Sequence, residues 1–173
     1  MHRAACTLLI LSVAWLFDAS AQSGEVPIVP GILPTGFGEN VDRDVARLRA
    51  ATERFKSADA AIAAGYTATT TCVAHPVHGV MGLHYKNFPL RDGTVDVEHP
   101  EILLYAPMPD GSVKLTGVEF VVPFGAWTRD EPPVLFMQPF HREETGKIWY
   151  LHVWAWEPNR DGLFADWNPA LKC

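Results

Sequence analysis

Residues 102–122 read ILLYAPMPDGSVKLTGVEFVV. Two β-rich apolar runs, Ile102–Ala106 and Val113–Val122, flank Asp110-Gly111, a dipeptide suited to a tight hairpin turn because both of its residues tolerate positive φ. Strands joined this closely pair antiparallel. Outward from the hairpin stand three more short runs between turn signals: Leu83–Asn87, Val134–Phe140 and Ile148–Trp156. No helical period survives after Thr67, so the rest of the chain is expected to be sheet and loop. Two connections are long, Phe88 to Pro100 and Pro123 to Pro133.

Before Thr67 the period is helical. Val41, Val45, Leu48 and Phe55 fall on one stripe, with Ala51 filling in. Asn40 is the expected N-cap, and Asp42 and Asp44 lie in the first turn, where the helix dipole favours acids. Ser57 is placed to cap a second segment, Ala58 to Ala64, that ends at Gly65. The fold class read from this pattern is α+β: an N-terminal helical pair on a curved antiparallel sheet of about five strands. A small β-barrel with N-terminal helices is the alternative. Residues 40–173 make one domain. Residues 22–39, with Pro27, Pro30, Gly31, Pro34, Gly36 and Gly38, read as an extended arm.

Residues 1–21 have the plan of a secretory signal peptide. Arg3 precedes an apolar run from Ala4 to Phe17, and Ala19-Ser20-Ala21 offers a small-x-small cleavage site. The run is too short for a stable span, which needs about 20 apolar residues. The expected product is an exported protein beginning at Gln22, periplasmic or secreted. Cleavage leaves two cysteines, Cys72 and Cys173. In an oxidising compartment an even count favours a bridge between them; two free thiols, or a metal site shared with histidines, are the other options. The formal net charge of −6 at pH 7 argues against nucleic acid and anionic membrane surfaces as partners.

Several activities are excluded. Of the serines after residue 21, Ser23, Ser57 and Ser112, none sits in a Gly-x-Ser-x-Gly elbow. The chain has no Cys-x-x-Cys-His for haem, no phosphate-cradling glycine loop and no His-Glu-x-x-His.

Longer strings are more specific than the periodicities. They are Ala64-Gly65-Tyr66, Cys72-Val73 and Met81-Gly82-Leu83-His84-Tyr85-Lys86-Asn87; Pro100-Glu101-Ile102-Leu103-Leu104-Tyr105 and Gly117-Val118-Glu119-Phe120; and Leu151-His152-Val153-Trp154 with Phe164-Ala165-Asp166-Trp167-Asn168-Pro169, closing at Cys173. Together these resemble a family of small exported bacterial proteins of uncharacterised function. The resemblance covers most of the chain after residue 21. It implies export and a single domain, and it lends no activity. His75, His78 and His141 stand outside the pattern.

Strand alternation places His152, Trp154 and Trp156 on one face, with Leu151, Val153 and Ala155 on the other. Glu119 interrupts the apolar run Val118–Val122, the pattern of a strand buried on both faces, where a carboxylate needs a partner or stays protonated. His84 lies between Leu83 and Tyr85, and Tyr105 shares a face with Glu101. His84, Glu119 and His152 are thus polar residues on three apolar strands. Two histidines and a carboxylate suit a divalent transition metal such as Zn²⁺, Fe²⁺ or Cu²⁺, and equally a metal-free acid/base site. A buried polar network that only specifies the fold uses the same residues. Tyr105, Trp154 and Trp156 are the candidate lining of a ligand pocket, and Trp149, Trp154 and Trp156 could form a stacking platform. His75 and His78, three apart before Gly79, are a weaker metal pair. Asp92, Asp96, Glu98 and Glu101 form an acidic cluster without EF-hand spacing.

Three functions fit these residues. The first is an exported domain binding a small molecule or metal. The second is a metal-dependent or acid/base enzyme using His84, Glu119 and His152. The third is an envelope or secreted structural protein with no small-molecule site.

Overall fold

The apolar stripe forms α1 (Glu39–Thr52), which buries Val41, Val45, Leu48 and Thr52 in a computed structural model that describes residues 34–173. The signal peptide expected over residues 1–21, and residues 22–33 of the arm, lie outside the described residues. α1 begins two residues earlier than expected, with Gly38 rather than Asn40 at the cap. Asp42 is engaged instead by Thr35, whose backbone N–H and hydroxyl donate to its carboxylate at 2.6 and 2.7 Å. A 3₁₀ turn, Glu53–Lys56, continues the axis and buries Phe55. Ser57 then caps α2 (Ala58–Ala63) by accepting from the Ala60 N–H, and Gly65 follows with φ 94°. In this short helix Ala61 is buried, whereas Ile62 is exposed.

The sheet is antiparallel and curled into a half-barrel of six strands. In chain order the strands of the molecule are β1 (Cys72–His75), β2 (Gly79–Lys86), β3 (Ile102–Pro107), β4 (Val113–Pro123), β5 (Val134–Leu135), β6 (Gln138–Pro139), β7 (His141–Glu143) and β8 (Ile148–Val153). The large sheet runs β1-β2-β3-β4-β8-β7, and β5-β6 is a separate hairpin. β1 and β7 are edges, so the sheet does not close into the alternative barrel. No helix of the described residues is long and apolar enough to cross a membrane.

The six-stranded sheet agrees with the expected α+β class, and the strands differ from the expected runs at three places. β1 and β7 are short and partly polar, and they exist because β2 and β8 offer them ladder partners. The run Val134–Phe140 is not one strand. It folds back at Phe136 and Met137, both with positive φ, because the Phe136 ring is drawn into the core beside Phe120 and Phe164, each 5.8 Å away between ring centroids. The run Ile148–Trp156 ends as a strand at Val153, where the Ala155 N–H turns back to the Val153 carbonyl.

Each face of the sheet has its own apolar cluster. Leu103, Tyr105, Val118, Phe120, Val122, Leu151 and Val153 pack under the helices with Val45, Leu48 and Phe55. Ile102, Leu104, Val121 and Trp154 form the second cluster with Tyr150 and Leu171. Leu171 belongs to the C-terminal tail. Asn168 exchanges both backbone hydrogen bonds with Val80 at the start of β2. Cys173 is bonded to Cys72 of β1, with S–S 2.01 Å and Cα–Cα 5.7 Å. Of the options left open by the cysteine count, the bridge is the one formed.

Candidate metal centre

Register decides which polar residues meet. Glu119 of β4 stands directly opposite His152 of β8, so their side chains leave the same face. His84 of β2 pairs with Leu104 of β3, and Ile102, two residues back on the same face, pairs with Glu119. His84, Glu119 and His152 therefore all project from the face that carries Ile102, Leu104 and Trp154. They meet: His84 Nε2 lies 3.5 Å and His152 Nε2 3.8 Å from the same Glu119 oxygen, Oε2. One ligand atom from each of the three lies within 4.8 Å of the others. All three are buried, at 9, 7 and 2 % relative exposure for His84, Glu119 and His152.

Local sequence sets the ring of His84. Gly82, two residues before it, has φ +100°, and a Cβ there would sit 2.4 Å from the Tyr105 carbonyl oxygen. Only glycine lets β2 lie this close to β3. The Gly82 carbonyl faces His84 Nδ1 at 3.2 Å and, as an acceptor only, places the proton on that nitrogen. Nε2 is then the bare nitrogen, directed at Glu119. Burial pushes the His84 imidazole below its ordinary pKa, against the opposing pull of Glu119, and so favours the neutral form.

His152 is held differently. Among the described residues neither of its ring nitrogens has a hydrogen-bond partner, although both are buried. Nε2 faces Glu119, and Nδ1 faces Asp166 Oδ1 at 3.6 Å. Asp166 also receives the Tyr150 hydroxyl at 3.1 Å and lies 3.1 Å from His141 Nδ1. Burial raises the Asp166 pKa, but His152, His141 and Tyr150 outweigh it and hold the carboxyl below its usual range. Sequence reasoning missed Asp166. The signal was present, since it lies inside the Phe164–Pro169 string.

The other expected site residues go elsewhere. Tyr105 lies on the helix face, fully buried, and donates its hydroxyl to the Phe55 carbonyl at 2.5 Å. It lines nothing shared with the cluster. Trp154 stays on the His152 face, its ring nearly parallel to the imidazole at 11°. Trp156 is not beside it as alternation predicted. The bend after Val153 sends it to the helix face, where its indole N–H donates to the Thr52 hydroxyl at 3.0 Å. Trp154 and Trp156 still border one open hollow of about 660 Å³ with Phe37, Arg49 and Leu163, but neither Glu119 nor His152 reaches it. Trp149 packs on the helix-face core under Arg142, so the three indoles form no platform.

His75 and His78 lie 4.4 Å apart between ring centroids, and His75 Nδ1 already accepts the N–H groups of Val77 and His78 in the turn. The acidic cluster is likewise dispersed: Asp92 and Asp96 cap their own turns, Glu98 pairs with Arg47, and Glu101 is buried.

No family profile, curated protein or solved structure matches the chain.

Proposed function

We propose that this chain is an exported metal-binding domain that holds one divalent transition cation at His84, Glu119 and His152. One observation carries the reading: two buried imidazole nitrogens converge on one carboxylate oxygen, and His152 has no hydrogen-bond partner at either nitrogen among the described residues. A buried polar atom without a partner costs about 1–3 kcal/mol. A cation among the three groups would supply the missing partner. A donor set of two nitrogens and one carboxylate suits zinc, iron or copper, and three protein ligands leave a coordination position for water or a small molecule.

The test is metal content of the purified protein, followed by titration of the chelator-treated protein with Zn²⁺ and Co²⁺. One equivalent is expected to bind. At a free metal concentration a hundredfold above Kd, stability rises by about 2.7 kcal/mol, which is about 5–10 °C in Tm for a domain of this size. His152→Ala and Glu119→Gln abolish that rise. A wild-type protein that takes up neither ion and melts identically with EDTA leaves the cluster as a buried polar network or a metal-free site.

Export rests on the signal-peptide pattern of residues 1–21 and fits a bridged cysteine pair. Intact-mass measurement on protein expressed from the full-length gene in a bacterium is expected to give a chain starting at Gln22 in the extracytoplasmic fraction. An uncleaved chain in the cytosol sinks this part of the reading.

A further inference from the structure

We infer that Asp166 is the positioning residue of this site: it holds the Nδ1–H of His152 and so presents Nε2 to Glu119. The inference rests on the reading of His152 as a member of the candidate centre, and it adds the element that aims the ring.

His84 has the Gly82 carbonyl, and His152 has no backbone acceptor among the described residues. Its aromatic neighbours, Tyr150 at 5.4 Å and Trp154 at 6.4 Å between centroids, confine the ring but do not choose which nitrogen faces Glu119. Flipping the ring by half a turn about its Cβ–Cγ bond changes its shape little and changes its chemistry completely. Among the described residues the only charged acceptor facing Nδ1 is Asp166 Oδ1 at 3.6 Å; a shift of about 0.5 Å brings the pair into hydrogen-bonding range. A carboxylate behind a ligating histidine is a recurrent device for fixing the tautomer and raising ligand basicity.

The C-terminal tail is built to keep that carboxylate in place. The Tyr150 hydroxyl donates to Asp166 Oδ2, and His141 Nδ1 lies beside Oδ1, the oxygen that faces His152, both at 3.1 Å. The Trp154 indole N–H fixes the preceding residue through the Ala165 carbonyl at 2.6 Å. Two residues on, Asn168 is fully buried, bonded to Val80 and to the Pro158 carbonyl. The Cys72–Cys173 bond ends the strap. The Phe164–Pro169 string thus reads as a strap anchored on both sides of Asp166.

The test compares wild type, Asp166→Ala and Asp166→Asn in two measurements at one fixed pH. The first is Zn²⁺ affinity by competition with a chromophoric chelator. The second is ¹⁵N NMR of the imidazole nitrogens, which reads the His152 tautomer with and without Zn²⁺. Asp166→Ala is expected to weaken Zn²⁺ binding by about 10–100-fold. Asp166→Asn, which keeps an acceptor oxygen and nearly the same shape, falls between and serves as the folded comparison. In the wild type Nδ1 carries the proton, and in Asp166→Ala it moves to Nε2. Equal Zn²⁺ affinity in all three proteins overturns the inference and leaves the metal reading standing. If the wild type binds no Zn²⁺, the metal reading falls, and the metal-free spectrum decides alone. A proton that leaves Nδ1 when Asp166 is removed supports the positioning role; a tautomer indifferent to Asp166 ends it.

Discussion

Replacing both Cys72 and Cys173 with serine is expected to lower the free energy of unfolding by about 4–5 kcal/mol in the chain-entropy account, the value for a closed loop of about 100 residues. The bridge joins residues 101 apart in sequence, so its removal frees the whole strand-bearing part of the chain in the unfolded state. Domains of this kind are stable by about 5–15 kcal/mol, so the variant stands near the margin. The loss has a local face as well. Cys72 lies on the edge strand β1 opposite Leu83, one residue from His84, and Cys173 ends the tail that carries Asp166. The last residues are expected to fray back towards Asn168, whose backbone bonds to Val80 form the next anchor. Urea unfolding of the serine variant against the oxidised wild type measures the first effect, and hydrogen exchange in the tail measures the second. Coincident midpoints would show that the bridge contributes nothing to the folded balance.

Wild-type stability is expected to fall as pH rises from about 5 to about 8, and Glu101→Gln is expected to remove most of that fall. Glu101 precedes β3 and is buried. The β3–β4 ladder stops at the pair Ile102–Glu119, and the Pro100 carbonyl is occupied by the Tyr66 hydroxyl at 2.6 Å. The Val121 N–H donates instead to the Glu101 carboxyl at 2.9 Å. Burial drives the Glu101 pKa up to about 8, with Asp92 and Glu119 adding to it and the Val121 N–H opposing. The folded state therefore binds a proton that the unfolded state, near 4.5, has released. Stability from this group is complete below 4.5 and lost as pH rises through about 8. At about 1.4 kcal/mol per pH unit the full window is worth up to about 5 kcal/mol. Glutamine keeps an acceptor for the Val121 N–H and cannot ionise. Urea midpoints at pH 5, 7 and 9 for the two proteins check it; parallel pH profiles would refute the assignment.

Much of the site was legible residue by residue, because a polar side chain inside an apolar strand is conspicuous. His84, Glu119 and His152 stand out in that way, and they do converge. Tyr105 and Trp156 looked equally suited to a pocket, yet they face the helices. For Tyr105 the partner is the Phe55 carbonyl, fifty residues away in sequence, and no local pattern announces such a contact. For Trp156 the period of two was carried one bend too far. Asp166 escaped notice because an aspartate in a turn-rich tail resembles a solvated residue until Tyr150, His141 and His152 are brought around it.

Period, capping and turn chemistry are local properties, and they sufficed for the class of the fold. Helices before Thr67, antiparallel strands after it, the Asp110-Gly111 hairpin and the Ser57 cap all follow from residues a few positions apart. Strand order, the folded-back Val134–Phe140 segment and the meeting of two imidazoles on one carboxylate depend on pairings dozens of residues apart. Those are selected by the mutual burial of whole faces, and only tertiary packing settles which faces meet.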